Sequence, residues 1–219
     1  MNRRDGQSGA IGIFGGTFDP VHFGHLRAAV EAREKLALED FRLLPAGDPP
    51  HRSDTVATAA QRLEMLRLAT AACAGLQVDD REIRRPGASY MADTLEGLRR
   101  ECATAPLMLL IGQDAANGLD RWHRWRELFE LAHLVVMRRP DAHFECTGEL
   151  RQQIQRRRVS GPEDLHLSPA GCVLALQVTQ LDISSTAIRR MLADGRSADF
   201  LLPGSVLAYI HDKGLYRGG

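Results

Sequence analysis

The chain has 219 residues, 44% of them hydrophobic, and its 28 Lys+Arg balance 28 Asp+Glu. That apolar content suffices for a globular core, while zero net charge argues against a nucleic-acid partner. No apolar run reaches membrane-spanning length or follows residues 1–9 as in a secretory leader. Cys73, Cys102, Cys146 and Cys172 form neither a C-x-x-C pair nor a zinc-ribbon spacing, so a cytoplasmic protein with reduced thiols is expected.

Residues 10–14 read as a first strand and 21–36 as the first helix. A second strand, 41–44, stops at Pro45. Residues 58–73 carry Leu63, Leu66 and Ala69 at helical spacing, and 76–78 form a short strand. A helix over 91–100 turns Leu95 and Leu98 inward. The runs 107–111 and 134–137 are continuously apolar, as buried parallel strands are. Residues 149–158 suit a helix whose Arg156-Arg157-Arg158 run is a solvated face, and 173–178 is the last strand. Strand–helix alternation predicts an α/β fold, a doubly wound parallel sheet. One domain over 1–219 is expected, with 140–172 an insertion or lid-like excursion within it.

Ligands of such sheets sit beyond the carboxyl ends of the strands. Four loops there carry chemistry: Gly15-Gly16-Thr17, the proline-braced loop holding His51 and Arg52, Gly112-Gln113-Asp114, and Ile183-Ser184-Ser185-Thr186. In the first, His22 and His25 share one face of a helix's first turn, where unpaired N–H groups and the helix dipole favour an anion. Gly24 lies between them at a cost of about 1 kcal/mol relative to Ala, which implies a close approach to the backbone. In the last, Ser184 or Ser185 caps a helix with Thr186 and Arg189 beside its start, a second anion site. Lys35 and Lys213 are the only lysines and a Walker A loop is absent, so phosphate contacts fall to Arg, His and backbone N–H groups. The helix starting near Ser89, Tyr90 and Met91 offers N–H groups to a carboxylate, and Trp122 a ring for stacking.

Residues 15–25, G-G-T-F-D-P-V-H-F-G-H, resemble the signature of the nucleotidyltransferase superfamily related to class I aminoacyl-tRNA synthetases. Together with P-P-H-R, S-Y-x-x-D-T-L, G-Q-D-A, W-x-x-W, R-R-P, I-S-S-T-x-I-R and a closing L-P…V…Y-I…L-Y, they resemble, in order, the bacterial nicotinate-nucleotide adenylyltransferase family. Only the first ten residues and parts of 140–172 fall outside the match. The resemblance implies a Rossmann-like fold and adenylyl transfer from ATP, with Mg²⁺ as the companion of the triphosphate, to nicotinate mononucleotide. It implies His22, His25 and Arg189 as catalytic groups. Gly15, Gly16, Thr17, Gly112, Asp114, Ile183, Ser184 and Ser185 would join them around ATP, with Asp114 on the adenosine side. Phe18, His51, Arg52, Ser89, Tyr90, Met91 and Trp122 would hold the acceptor. Met91 stands where the family has Thr, so a hydroxyl contact to the pyridine acid is lost. Another acceptor (nicotinamide mononucleotide or phosphopantetheine) and a non-catalytic nucleotide sensor are the alternatives. No metal cage of protein ligands is expected, and the oligomeric state stays open.

Overall fold

The computed structural model describes residues 9–48, 55–138 and 145–218. Its strands are β1 (Ile11–Gly16), β2 (Asp40–Pro45), β3 (Gln77–Val78), β4 (Leu107–Gly112), β5 (His133–Arg138) and β6 (Val173–Gln177). All are parallel, in the order β3-β2-β1-β4-β5-β6. The apolar runs form central strands because side chains alternate and both faces are covered. Met108 and Leu110 of β4 enter one core, and Leu107, Leu109 and Ile111 the other. Val135 and Met137 of β5 likewise oppose Leu134 and Val136.

The helices are α1 (Phe23–Lys35), α2 (Ala59–Thr70), α3 (Arg81–Arg84), α4 (Met91–Glu101), α5 (Gln113–Asn117), α6 (Leu128–Leu131), α7 (Gly148–Arg157), α8 (Ser185–Ala193) and α9 (Gly204–Asp212). The first core takes α1, α2, α8 and α9 through Ala29, Ala32, Met65, Leu66, Ile188, Val206 and Ile210. The second takes α4, α6 and α7 through Leu95, Leu98, Leu128, Phe129, Leu150 and Ile154. Among the described residues, no helix is long and apolar enough to cross a membrane.

The sheet is the doubly wound architecture that the alternation predicts. Residues 145–172, most of the expected insertion or lid-like excursion, lie between β5 and β6 and pack on both cores. Leu150 and Ile154 enter the second core and Leu165 the first. His133, fully buried at the head of β5, binds this connection. Its Nδ1 accepts the Cys172 N–H at 3.1 Å, so its neutral ring donates Nε2–H to the Ser168 carbonyl at 2.8 Å. The strand order reverses between β1 and β4, which opens a crevice at their carboxyl ends.

Candidate active site

β1 ends at Gly16, and Thr17–Val21 carries the chain into α1. Phe18 has φ +52°, a left-handed backbone that turns its ring into the core. That ring stands edge-on to Phe14 and His25, at 5.8 and 5.1 Å between centroids. It also lies 2.8 Å from the point a Cβ on residue 16 would occupy, which is why a glycine stands there. The Phe18 side chain is therefore a prop beneath His25.

The helix begins at Phe23, two residues later than its apolar pattern suggests. His22 is the extended N-cap, with φ −146° and ψ 170°, and His25 sits in the first turn. The two imidazoles share one side of the helix start, stacked 3.7 Å apart at 27°. The His22 N–H donates to His25 Nδ1 at 3.3 Å, which leaves the proton of a neutral His25 on Nε2. His22 is only 5% exposed, and burial pulls its pKa from 6.5 down to about 4. At neutral pH it is an uncharged donor, and its buried Nδ1 makes no hydrogen bond. Gly24 does mark a close approach. A Cβ there would lie 2.9 Å from His22 Nδ1 and 3.6 Å from the Ile183 carbonyl oxygen. One of the helix-start N–H groups, that of Phe23, is already taken by the Leu201 carbonyl at 3.0 Å.

The start of α8 is stapled to this loop. Ser184 is its N-cap, accepting the Ala187 N–H at 3.2 Å, while Ser185 donates to the Pro20 carbonyl at 2.9 Å. Arg189 donates to the Asp19 carbonyl at 2.7 Å and to Thr186 Oγ1 at 3.4 Å. Two helix N-termini therefore meet over Asp19–Gly24. Asp19, 3% exposed, ties the loop down through its side chain. It accepts the Val56 and Ala57 N–H groups at 2.9 and 3.2 Å and the Tyr216 hydroxyl at 2.6 Å. Burial and this carboxylate push the Tyr216 phenol well above its ordinary pKa, so it stays protonated and donates.

On the other side of Gly15–Thr17 lies a cavity of about 570 Å³, walled by Gly112, Asp114, Tyr90, Met91, Trp122 and His123. Tyr90 is the N-cap of α4 and makes no side-chain cap bond, so the first turn of that helix offers uncapped N–H groups at the wall. The Met91 methyl lies 2.7 Å from where a Cβ on Gly15 would stand. Tyr90 rests against His123, with 4.2 Å between centroids. Ser89 lines the cavity, yet its hydroxyl is committed. It accepts the Gly47 and Asp48 N–H groups at 2.9 and 3.1 Å and donates to the buried Glu82. Thr94 donates to the same carboxyl at 2.7 Å, and burial raises the Glu82 pKa. His51 and Arg52 lie outside the described residues.

The structure thus gathers Gly15, Gly16, Thr17, Ser89, Tyr90, Met91, Gly112, Asp114 and Trp122 around one cavity. His22, His25, Ile183, Ser184, Ser185 and Arg189 do not line it; they gather about Asp19–Gly24, just beyond the glycine turn in the chain. Sequence reasoning missed Asp19, Arg62, Glu82, His123 and Tyr216. Asp19 and Tyr216 had a signal, their places in the first and last motifs; His123 adjoins Trp122; Arg62 and Glu82 had none that is local.

The cytidylyltransferase-like family pattern matches residues 13–191. A probable nicotinate-nucleotide adenylyltransferase from Methylococcus capsulatus is 52% identical over 207 residues, covering 94% of this chain and 99% of that one. Its counterpart from Pseudomonas syringae pv. tomato is 50% identical over 94% of this chain and 93% of that one. The fold is shared with Plasmodium falciparum nicotinic acid mononucleotide adenylyltransferase complexed with NaAD, at a TM-score of 0.73 and 15% identity. That likeness covers 95% of this chain and 98% of that one. With half its residues shared along nearly its whole length, the chain belongs to the nicotinate-nucleotide adenylyltransferases of the cytidylyltransferase-like family.

Proposed function

We propose that the protein transfers the adenylyl group of ATP, taken as its Mg²⁺ complex, to nicotinate mononucleotide in NAD biosynthesis. The 5′-phosphate oxygen of the acceptor attacks the α-phosphorus. The bond to the bridging oxygen breaks, and pyrophosphate leaves with the electron pair as deamido-NAD forms. A phosphate monoester is already an anionic nucleophile near neutral pH, so positioning and charge stabilisation carry the catalysis. Mg²⁺ would offset triphosphate charge. It is a hard cation that favours phosphate and water oxygens, and the Asp19 carboxylate of the turn is committed to Val56, Ala57 and Tyr216.

In this reading the Gly15–Thr17 backbone holds the bridging phosphates. The stacked His22–His25 pair and Arg189, with Ser184 and Ser185 ordering the α8 start, receive the charge that develops on pyrophosphate. Gly112 and Asp114 lie on the adenosine side. Tyr90, Met91 and Trp122 enclose the pyridine ring, while Phe18 and Ser89 shape that pocket from behind. His51 and Arg52 are assigned to the acceptor phosphate. Residues 1–219 act as one catalytic unit, in the cytoplasm and on small molecules rather than nucleic acid. The observation that carries the reading is the cavity at the switch point, lined by the Gly15–Thr17 turn and the uncapped α4 start, with the α8 start held to the Asp19–Pro20 segment that follows that turn.

An acid substituent suits the α4 start, because a carboxylate only accepts and the helix start only donates. An amide would turn its NH₂ toward those donors or lose a contact, at about 1–3 kcal/mol. Pyrophosphate release should be assayed with ATP, Mg²⁺ and either nicotinate or nicotinamide mononucleotide. The expected result is a kcat/KM for the acid about tenfold or more above that for the amide. Equal values would mean the carboxylate is not read, and no release with either would sink the reading.

A further inference from the structure

The first turn of α4 carries a charge of its own. Asp93 lies there, at the helix end whose uncapped N–H groups stand at the cavity wall. A carboxylate in that turn is attracted by the helix dipole, and its own charge weakens the pull of the helix start on a second anion. Glu96 follows three residues later on the same row of the helix. Uncompensated, these two groups would oppose the binding of an acid at the wall.

The compensating cation comes from the segment 119–127, which follows α5. Arg124 leaves it with φ +54°, a left-handed backbone that L residues rarely adopt. Its Nη1 donates to Asp93 Oδ1 at 3.1 Å, its Nη2 to the Glu96 and Glu127 carboxylates, and its Nε to Glu127 Oε1 at 2.9 Å. One guanidinium thus serves three carboxylates. Arg100 also faces Glu96 and His123 faces Glu127, whereas Asp93 is paired with Arg124. The segment has other supports. Leu119 and Trp125 are buried in the second core, Trp122 packs against it, and Arg126 donates to Glu149 at 2.7 Å. His123 rests on Tyr90. Removing the Arg124 side chain would leave that wall standing and change the charge at the α4 start.

We infer that Arg124 is a positioning residue for acid selectivity: by holding and neutralising Asp93, it keeps the α4 start free to attract the carboxylate of the acceptor. This rests on the adenylyl-transfer reading and its acid acceptor. The Arg124 and Asp93 side chains are part-exposed, at 29% and 39%, so their pairing adds little to stability. Its effect falls on the ligand instead, because Asp93 sits within the one turn over which the helix-end field is felt. A neutral amide at the same wall would not feel the change.

Pyrophosphate release should be followed with nicotinate and with nicotinamide mononucleotide, and selectivity taken as the ratio of their kcat/KM values. In full-length Arg124→Gln the acid-to-amide ratio should fall about threefold or more, through KM for the acid, while KM for ATP stays within about twofold. Arg124→Lys keeps the charge and should keep most of the ratio. Adding Asp93→Asn to Arg124→Gln should restore it. A structural defect would act on both mononucleotides alike. Equal losses toward acid and amide, a ratio in Arg124→Lys as low as in Arg124→Gln, or no recovery on adding Asp93→Asn would therefore overturn the inference. Asp93→Asn in the otherwise unaltered chain probes the same field without touching Arg124. There the ratio should rise about twofold, and an unchanged or lower ratio would equally overturn it. A parent that takes both mononucleotides equally well, or neither, would instead remove the functional reading beneath it.

Discussion

On the proposed donor side of the Gly15–Thr17 turn, several contacts that fix the chain are aimed at main-chain carbonyls, beside those to the Asp19 carboxylate. Arg189 holds Asp19 O, Ser185 holds Pro20 O, and the Phe23 N–H holds Leu201 O. On the acceptor side, the cavity is walled by the side chains of Tyr90, Met91, Trp122 and His123, and its support, Glu82 with Ser89 and Thr94, is a side-chain network. In the proposed reading the difference follows from what each half binds. A triphosphate is recognised by N–H groups and charge, so the donor half fixes where the backbone runs. A pyridine ring is recognised by shape and by a few polar contacts, so the proposed acceptor half would keep its N–H donors with Met at position 91.

If the donor half works through fixed donors, losing one should damage the chemical step most. His25→Ala should lower kcat by about 10²–10³-fold, the range for removing one oxyanion donor, and change KM for ATP much less. A kcat within a few-fold of the parent with a raised KM would make His25 a uniform binder and blur the contrast between the halves.

Arg189→Lys tests whether geometry or charge matters at the α8 start. Lysine keeps the charge but cannot hold both Asp19 O and a phosphate oxygen in one plane. Activity should fall about tenfold with ATP, and similarly with pyrophosphate in the reverse reaction, for roughly 1.4 kcal/mol. Normal pyrophosphorolysis would take Arg189 out of the site and leave it a loop staple.

The smallest effect sharpens the comparison through pH. Burial lowers the pKa values of His22, to about 4, and of His133. Below pH 6.5 the unfolded chain therefore binds more protons at these positions than the folded one. Stability should fall as the pH drops from 6.5 toward 4, by about 1.4 kcal/mol per pH unit for each fully shifted histidine. Urea unfolding at successive pH values reads this slope. His22→Gln should remove one histidine's share and leave that of His133, and an unchanged slope would mean that His22 is not buried in neutral form.

The sheet was legible because 107–111 and 134–137 are apolar without break, and only a strand covered on both faces needs that. The two histidines and the serine cap were legible because helix starts have local chemistry. The start of α1 was misplaced because Val21 and His22 continue the apolar and polar rhythm of the helix while their backbone is extended. Phe18 looked like a ligand contact because it lies inside the motif. Its left-handed backbone, which the sequence does not announce, turns the ring inward. Arg62 was invisible because it acts on carbonyls 15 and 45 residues away, and a carbonyl carries no side-chain signature.

The bond between Tyr216 and Asp19 joins positions 197 residues apart. A ribosome adding about 5–20 residues per second would expose Asp19 roughly 10–40 s before its partner is made. Until then the donor loop lacks one of its anchors, however soon β1 and β2 pair. An interrupted chain that stops short of residue 216 can assemble much of the sheet and still lack this anchor at the nucleotide loop. Completion of the site thereby waits on synthesis past residue 216.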